Sequence, residues 1–263
     1  MRRFGLGVLL LAVHLLVPVR AAEIALIIDD MGNSIHDAAA FDLPVAVTFS
    51  ILPFTPLSQQ FSHTAEQQSR EVMLHVPMEA LNGKALGPGA ITSDMLPTNI
   101  QDTLQAALNN VPNAVGLNNH MGSKLTQLTL PMQSTMHFLQ HSGLYFIDSR
   151  TTRYSKAERI ARQNGVPVAH RHVFLDHVAD EKHIDGQFKR LLQLARKQGI
   201  AVAIGHPYPK TLAYLQTHLQ DLQQQGIRLV PVSELVLPNQ SLWAALSEPK
   251  TSPPSQTAEE LQE

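Results

Sequence analysis

Five residues of this chain stand where a folded protein usually places chemistry: Asp29, Asp30, His75, His120 and His206, each at or just beyond the end of an apolar run. The two aspartates follow Ile24-Ala25-Leu26-Ile27-Ile28 and precede Met31-Gly32. A run so rich in β-branched residues reads as a buried parallel strand, and ligands bind at the carboxyl ends of such strands. Two adjacent carboxylates ionise together cheaply only if a cation or a proton lies between them. The pair therefore points to a metal site with one ligand and one base. The competing explanation is a helix start, because aspartate suits an N-cap and the positive end of a helix. The three histidines favour the site, since each follows a buried-strand pattern at the same level as the aspartates. An aspartate and two histidines around an open position are typical donors for a catalytic zinc or a related divalent ion. Such an ion acidifies its bound water and polarises a carbonyl oxygen. A carboxylate beside it can take the water proton, and a histidine across the pocket can protonate the leaving nitrogen. These parts suit hydrolysis of an amide.

The elements that must hold these residues are legible as alternation. Strand candidates are Ile24–Ile28, Val45–Ile51, Val72–Val76, Ala114–Leu117, Leu144–Ile147, Val168–Phe174, Ile200–Ile204 and Ile227–Val230. Helical spacing marks Thr98–Asn110, Lys182–Gln198 with the stop Gly199, and Lys210–Gln225 with the stop Gly226. Strand and helix alternating over the whole length imply a parallel sheet covered by helices. Neither GxGxxG nor GxxxxGK[ST] follows any strand, which favours an α/β barrel over an open nucleotide-binding sheet. In a barrel the residues after the strands converge on one rim. The histidines His63, His137, His141, His183 and His218 fall in or beside helical stretches and are assigned to surface or packing. The loop from Leu81 to Pro97, rich in glycine and proline, is long for a simple connection and is expected to cover the rim.

Composition narrows the partners. The 263 residues are 44% hydrophobic with a formal net charge of -2, so there is no basic field to hold nucleic acid. With no cysteine, any metal must use histidine and carboxylate ligands, and the 13 histidines give ample material. Arg2 and Arg3 precede the apolar stretch Leu6 to Val17, and Val19-Arg20-Ala21 has the small-x-small form of a cleavage site. Residues 1–21 read as a secretory signal peptide, too short for a comfortable membrane span, and the mature protein as periplasmic. The expected barrel domain covers 22–237. From 238 to 263 the prolines and the loss of apolar period read as a disordered tail, in which Ser241-Leu242-Trp243 is a candidate docking point.

The strand-end segments carry a resemblance. Ile27-Ile28-Asp29-Asp30-Met31-Gly32, Leu74-His75-Val76-Pro77-Met78-Glu79, Asn118-Asn119-His120-Met121-Gly122-Ser123, Phe146-Ile147-Asp148-Ser149-Arg150 and Ala203-Ile204-Gly205-His206-Pro207-Tyr208-Pro209 resemble the divergent polysaccharide deacetylases, relatives of the NodB-type carbohydrate esterases. The resemblance spans roughly Ile24 to Leu237. It implies a distorted (β/α)7 barrel, a divalent metal, most simply Zn2+, and an acetylated glycan or peptidoglycan fragment as substrate. It also implies roles: Asp29 as general base, Asp30 and His75 as ligands, His206 as general acid. Glu79 stands where the family has a second histidine ligand, so it is a candidate ligand or a residue orienting His75. The family's Arg-Pro-Pro segment is absent, and His120 is left to supply the third ligand. Asp148 and Asp176 are candidates to hold a histidine or arginine from behind. Arg150 and Arg171 either position an anionic or sugar substrate or pair with those aspartates. Two other readings stay open: a catalytically silent barrel that binds a glycan or an envelope protein, and an amide hydrolase with a different substrate.

Overall fold

The computed structural model describes residues 21–236. The expected signal segment, apart from Ala21, and the expected tail with Trp243 lie outside them. Among the described residues, no helix is long and apolar enough to cross a membrane.

The strands are β1 (Ala22–Met31), β2 (Thr48–Ile51), β3 (Val72–Met78), β4 (Ala114–Met121), β5 (Tyr145–Asp148), β6 (Val168–His170), β7 (Val173–Phe174), β8 (Ile200–Gly205) and β9 (Ile227–Leu229). The α-helices are α1 (Ser58–Gln67), α2 (Pro97–Asn110), α3 (Thr129–Ser142), α4 (Ala157–Gln163), α5 (Glu181–Gln198), α6 (Pro209–His218) and α7 (Val232–Val236). The pairings are all parallel, in the order β6-β5-β4-β3-β2-β1-β8-β7. β9 adds to the amino-terminal end of β1, below β2.

β1, β3 and β4 run on past their expected ends to Met31, Met78 and Met121, and three other boundaries differ for local reasons. The expected strand Val45–Ile51 begins only at Thr48, because Pro44 starts a turn closed by the Val47 amide. The helix expected over Lys210–Gln225 stops at His218 and resumes as a 3₁₀ turn at Gln223–Gln225. Leu219 and Leu222 remain buried, so the apolar spacing survives while the backbone tightens. The run Val168–Phe174 is split at Arg171-His172 into β6 and β7.

That split marks the seam of the curled sheet. β6 and β7 are the two ends of the sheet, yet only two residues separate them in sequence. The Arg171 amide donates to the Asp148 carbonyl on β5, and the His172 amide donates to the Val202 carbonyl on β8. One dipeptide thus bridges both edges, and the sheet curls into the distorted barrel expected for seven βα units.

The period of two sorts the side chains. Ile24, Leu26 and Ile28 of β1 face outward into the main core shared with the helices, with Leu74 and Val76 of β3 and Leu117 of β4. Ala25 and Ile27, Met73, Tyr145 and Ile147, Val202 and Ile204 face the lumen, where Val232 and Val236 of α7 pack against them. Ile24 through Ile28 are fully buried, each contributing on the order of 1.5–3 kcal/mol for the larger side chains. A side chain at Gly116 would overlap the Tyr145 ring, so glycine is required where β4 passes β5. The lower barrel is therefore filled, and the polar residues sit on top of that floor.

Candidate metal centre and active site

On β1, Asp29 continues the lumen-facing series Ala25, Ile27. Asp30 would alternate outward toward the helices. It does not, because the strand bulges. Ile28 pairs with Phe49 and Met31 with Ile51, so three steps on β1 match two on β2. Asp30 absorbs the extra residue in the left-handed region at φ 59°. A bulge re-aims a side chain, and here both carboxylates reach the same imidazole. Asp30 Oδ1 lies 3.0 Å and Asp29 Oδ2 3.7 Å from His75 Nε2. Among the described residues, four of the five non-glycine residues with positive φ stand in the last residues of a barrel strand or in the loop just after one: Asp30, Phe54, Met121 and Arg150. Each such residue costs on the order of 1–3 kcal/mol, and such strain clusters at functional sites.

His75 shares the lumen face of β3 with Met73, and Asn118 and His120 share that of β4. His120 Nδ1 is 2.7 Å from Asp30 Oδ1 and 3.2 Å from His75 Nε2. Asp30, His75 and His120 thus offer one oxygen and two nitrogens as a compact triangle. A tetrahedral ion with bonds of about 2.0–2.1 Å separates its donors by roughly 3.3 Å. The three observed edges of 3.0, 2.7 and 3.2 Å are of that size. Donor type and spacing fit a divalent metal bound on one face, with further positions toward the pocket.

Asn118 holds this arrangement from behind, a role the sequence reading did not assign. It is fully buried. Its Nδ2 donates to Asp29 Oδ1 at 2.8 Å, while its Oδ1 accepts from His75 Nδ1 at 2.6 Å and from Ser50 Oγ at 2.5 Å. With Asp29 ionised its oxygen only accepts, so the amide points this way. His75 therefore carries a proton on Nδ1 and directs Nε2 at Asp30. The signal for Asn118 was available: it lies two residues before His120, on the same face of β4.

The charges reflect this crowding. Burial raises the Asp29 pKa above the ordinary carboxylate value, and the nearby His75 and His206 offset this only in part. Burial would also raise Asp30, but its contacts with His120 and His75 outweigh that and hold it well below the ordinary range. Burial alone would depress His75, yet Asp29 and Asp30 together lift it to about 9. Among the protein's own groups, His75 is thus an imidazolium clamped between carboxylates, in the place a cation would take.

His206, on the lumen side beyond β8, faces this triangle with Nε2 3.6 Å from Asp30 Oδ2. Asp176 grips it from behind: Oδ1 accepts from Nδ1 at 2.9 Å and Oδ2 from the His206 amide at 2.7 Å. Thr211 Oγ1 donates to the same Oδ2. Burial would lower His206, but Asp176 outweighs it and the ring sits above its ordinary value. The imidazole stacks on Tyr208 with ring centroids 5.2 Å apart.

Other candidates fall elsewhere. Glu79 makes its contacts away from His75. Its Oε1 pairs with Lys124 Nζ at 2.6 Å and its Oε2 accepts from the Ser93 amide at 2.7 Å, which holds it near a pKa of about 2. Asp148 faces away from the lumen and accepts from the Arg150 amide and Ser155 Oγ, so it shapes the loop after β5 and meets no site histidine. Arg171 donates to the Ser149 and Arg150 carbonyls and lies over the Phe174 ring. Arg150 pairs with Glu158 at 2.7 Å. Both arginines also line the pocket of ≈ 340 Å³ that contains Asp29, Asp30, His75, His120 and His206. The loop from Leu81 to Pro97 does reach the rim: Leu86, Gly87 and Pro88 stand beside Asp30 and His120 in a smaller cleft.

The family model for divergent polysaccharide deacetylases matches residues 26–236. The chain belongs to that family. It is 39% identical over 220 residues to the uncharacterized protein YibQ of Escherichia coli, covering 83% of this chain and 69% of the relative. An uncharacterized protein of Haemophilus influenzae is 37% identical over 215 residues, covering 81% of this chain and 76% of its own length. The fold matches the crystal structure of the uncharacterized protein ATU2773 from Agrobacterium tumefaciens with a TM-score of 0.80 at 23% identity, over 83% of this chain and 91% of that one. The matched span contains all three members of the triangle, Asp30, His75 and His120.

Proposed function

We propose that this protein is a metal-dependent hydrolase that removes an acetyl group from a glycan of the cell envelope, in the periplasm. The observation that carries the reading is the triangle of Asp30, His75 and His120 flanked by Asp29 and His206 in one pocket. Zinc is the first ion to test, because two imidazoles and a carboxylate with open positions are a common catalytic zinc set.

Such an ion, when held there, would polarise the acyl oxygen and acidify an attacking water. Asp29 is the proton acceptor: its Oδ2 faces the triangle while Oδ1 is anchored by Asn118. Burial raises its pKa, which makes it a stronger base than an ordinary aspartate. His206, whose pKa Asp176 raises through the Nδ1 contact, hands a proton to the departing sugar nitrogen or oxygen from the other side. Asn118 and Asp176 fix both proton carriers so that neither must reorient during the reaction.

The silent-barrel reading drew its force from Glu79 and the absent Arg-Pro-Pro segment, and His120 offers a third donor without Glu79. The test joins metal content to turnover. Protein loaded with zinc should bind about one ion per chain and release acetate from acetylated oligosaccharides. Asp30→Ala should lose both. Asp29→Asn should keep the ion and lose on the order of 10²–10⁴ in kcat. A chain that binds no divalent ion, or releases acetate equally well without Asp29, would end this reading.

A further inference from the structure

Beside the catalytic pocket lies a second cavity of ≈ 770 Å³, formed by the loop after β5, helix α4 and the seam between β6 and β7. Its lining includes five arginines, Arg150, Arg153, Arg159, Arg162 and Arg171, against only two carboxylates, Asp148 and Glu158. This is a formal excess of three positive charges in a chain whose net charge is -2. Arg150 and Arg171 line both cavities, so the basic wall is continuous with the site of hydrolysis.

The wall is built rather than accidental. Glu158 takes Arg162 on Oε1 at 2.8 Å and Arg150 on Oε2 at 2.7 Å, setting two guanidinium groups side by side. His170 shares Oε2 at 2.9 Å. Asp148 accepts the Arg150 amide and Arg171 donates to the Arg150 carbonyl, locking that residue in the left-handed region at φ 45°. Both carboxylates are thus committed to positioning. Arg159 has no hydrogen-bond or ion-pair partner among the described residues. A guanidinium has five N–H donors, and its planar fork matches a carboxylate or phosphate.

We infer that this arginine-lined cavity is a subsite for an oxyanion carried by the substrate itself, so that the preferred substrate is an acylated sugar bearing a carboxylate or a phosphate near the acyl group. The inference rests on the hydrolase reading for the identity of the acylated sugar, and adds that the sugar is anionic. The anion docks on Arg159 and Arg162, and the shared residues Arg150 and Arg171 orient the sugar toward Asp29 and the metal triangle.

The test compares two matched pairs by isothermal titration calorimetry on the Asp29→Asn chain. One pair is the disaccharide of N-acetylglucosamine and N-acetylmuramic acid with its methyl ester. The other is N-acetylglucosamine 1-phosphate with N-acetylglucosamine. In at least one pair the charged member should bind about tenfold tighter or more, from one or two charge-assisted contacts. The pair that shows the preference identifies carboxylate or phosphate as the anion. The preference should shrink as salt rises from about 50 to about 500 mM, and should vanish in Arg159→Gln/Arg162→Gln. Both arginines are exposed, and circular dichroism of the double variant confirms its fold. Equal affinities in both pairs, a preference that survives the double substitution, or no binding of any of the four overturns the inference. Acetate release by the zinc-loaded wild type is measured separately. Release without charge preference sinks the subsite alone, whereas charge preference without release from any acetylated sugar sinks the hydrolase reading alone.

Discussion

Replacing Asn118 by leucine tests the site's internal logic most directly. The side chains are of similar size and the position is fully buried, so the change removes polarity with little change of volume. Three neighbours lose their partner at once: Asp29 Oδ1, His75 Nδ1 and Ser50 Oγ. A buried polar group left unpaired costs about 1–3 kcal/mol. Asp29 can relieve its share by keeping a proton and Ser50 by rotating, so we expect a net loss of roughly 2–4 kcal/mol. In a domain of this size that lowers Tm by roughly 5–15 °C. The metal should suffer separately. Without the Nδ1 contact, His75 loses its fixed tautomer and ring orientation, and loss of such a support typically costs about 10–100-fold in metal affinity. That factor is about 1.4–2.7 kcal/mol. Asp29 also loses a hydrogen bond that favours its charged form, so the acidic limb of the kcat profile should move to higher pH. The assays are a zinc competition titration against a chromophoric chelator, thermal unfolding followed by circular dichroism, and a pH profile of acetate release. A folded Asn118→Leu protein that binds zinc within twofold of the wild type would refute the claim that Asn118 sets the His75 tautomer.

Three further outcomes follow from the same geometry. Asp176→Asn removes the carboxylate that raises the His206 pKa, so that pKa falls and the alkaline limb of the kcat profile moves to lower pH; a limb that stays put would remove His206 from the acid role. In protein stripped of metal by a chelator, His75 has a folded pKa of about 9 against an ordinary 6.5. A raised histidine stabilises fully below the unfolded value and loses that stabilisation as pH rises through the folded one, so the unfolding free energy from urea titrations should fall between pH 6.5 and 9 by on the order of 3 kcal/mol at most. Zinc-loaded protein should show a smaller fall over this window, because the ion replaces the Nε2 proton; equal falls would contradict His75 ligation. Glu79→Gln should leave zinc affinity within about twofold and cost at most about 1 kcal/mol of stability, since only a half-exposed Lys124 pair is lost, whereas a larger change in affinity would return Glu79 to the ligand set.

Much of the fold was legible because parallel strands buried on both faces are written as unbroken apolar runs, and Ile24 to Ile28 is such a run. The alternation of strands and helices, the rim and the histidines at its strand ends all follow from the order of these runs. The boundaries that moved did so for local reasons: a turn at Pro44, and a helix that tightens after His218. The break inside Val168–Phe174 is different in kind. Both halves are apolar enough to continue, and only the need to join β5 to β8 at the seam divides them.

The residue types decided by themselves that any metal here would be held by oxygen and imidazole nitrogen, and that Asp29, His75, Asn118, His120 and His206 were available at strand ends. Alternation along each strand even places these five on the lumen side. Tertiary structure alone decided how they combine. Asp30 has the wrong parity for the pocket, and only the β1 bulge turns it inward, because an inserted residue opposite β2 is a property of pairing between strands. Glu79 has the right parity but finds Lys124 and Ser93, both distant in sequence and brought near by the loops after β3 and β4. The arginines of α4 reach the same wall as Arg171 through the curl of the sheet. Spacing along one strand can be read from one sequence, whereas the partner a charge finds across the barrel depends on where every other strand comes to rest.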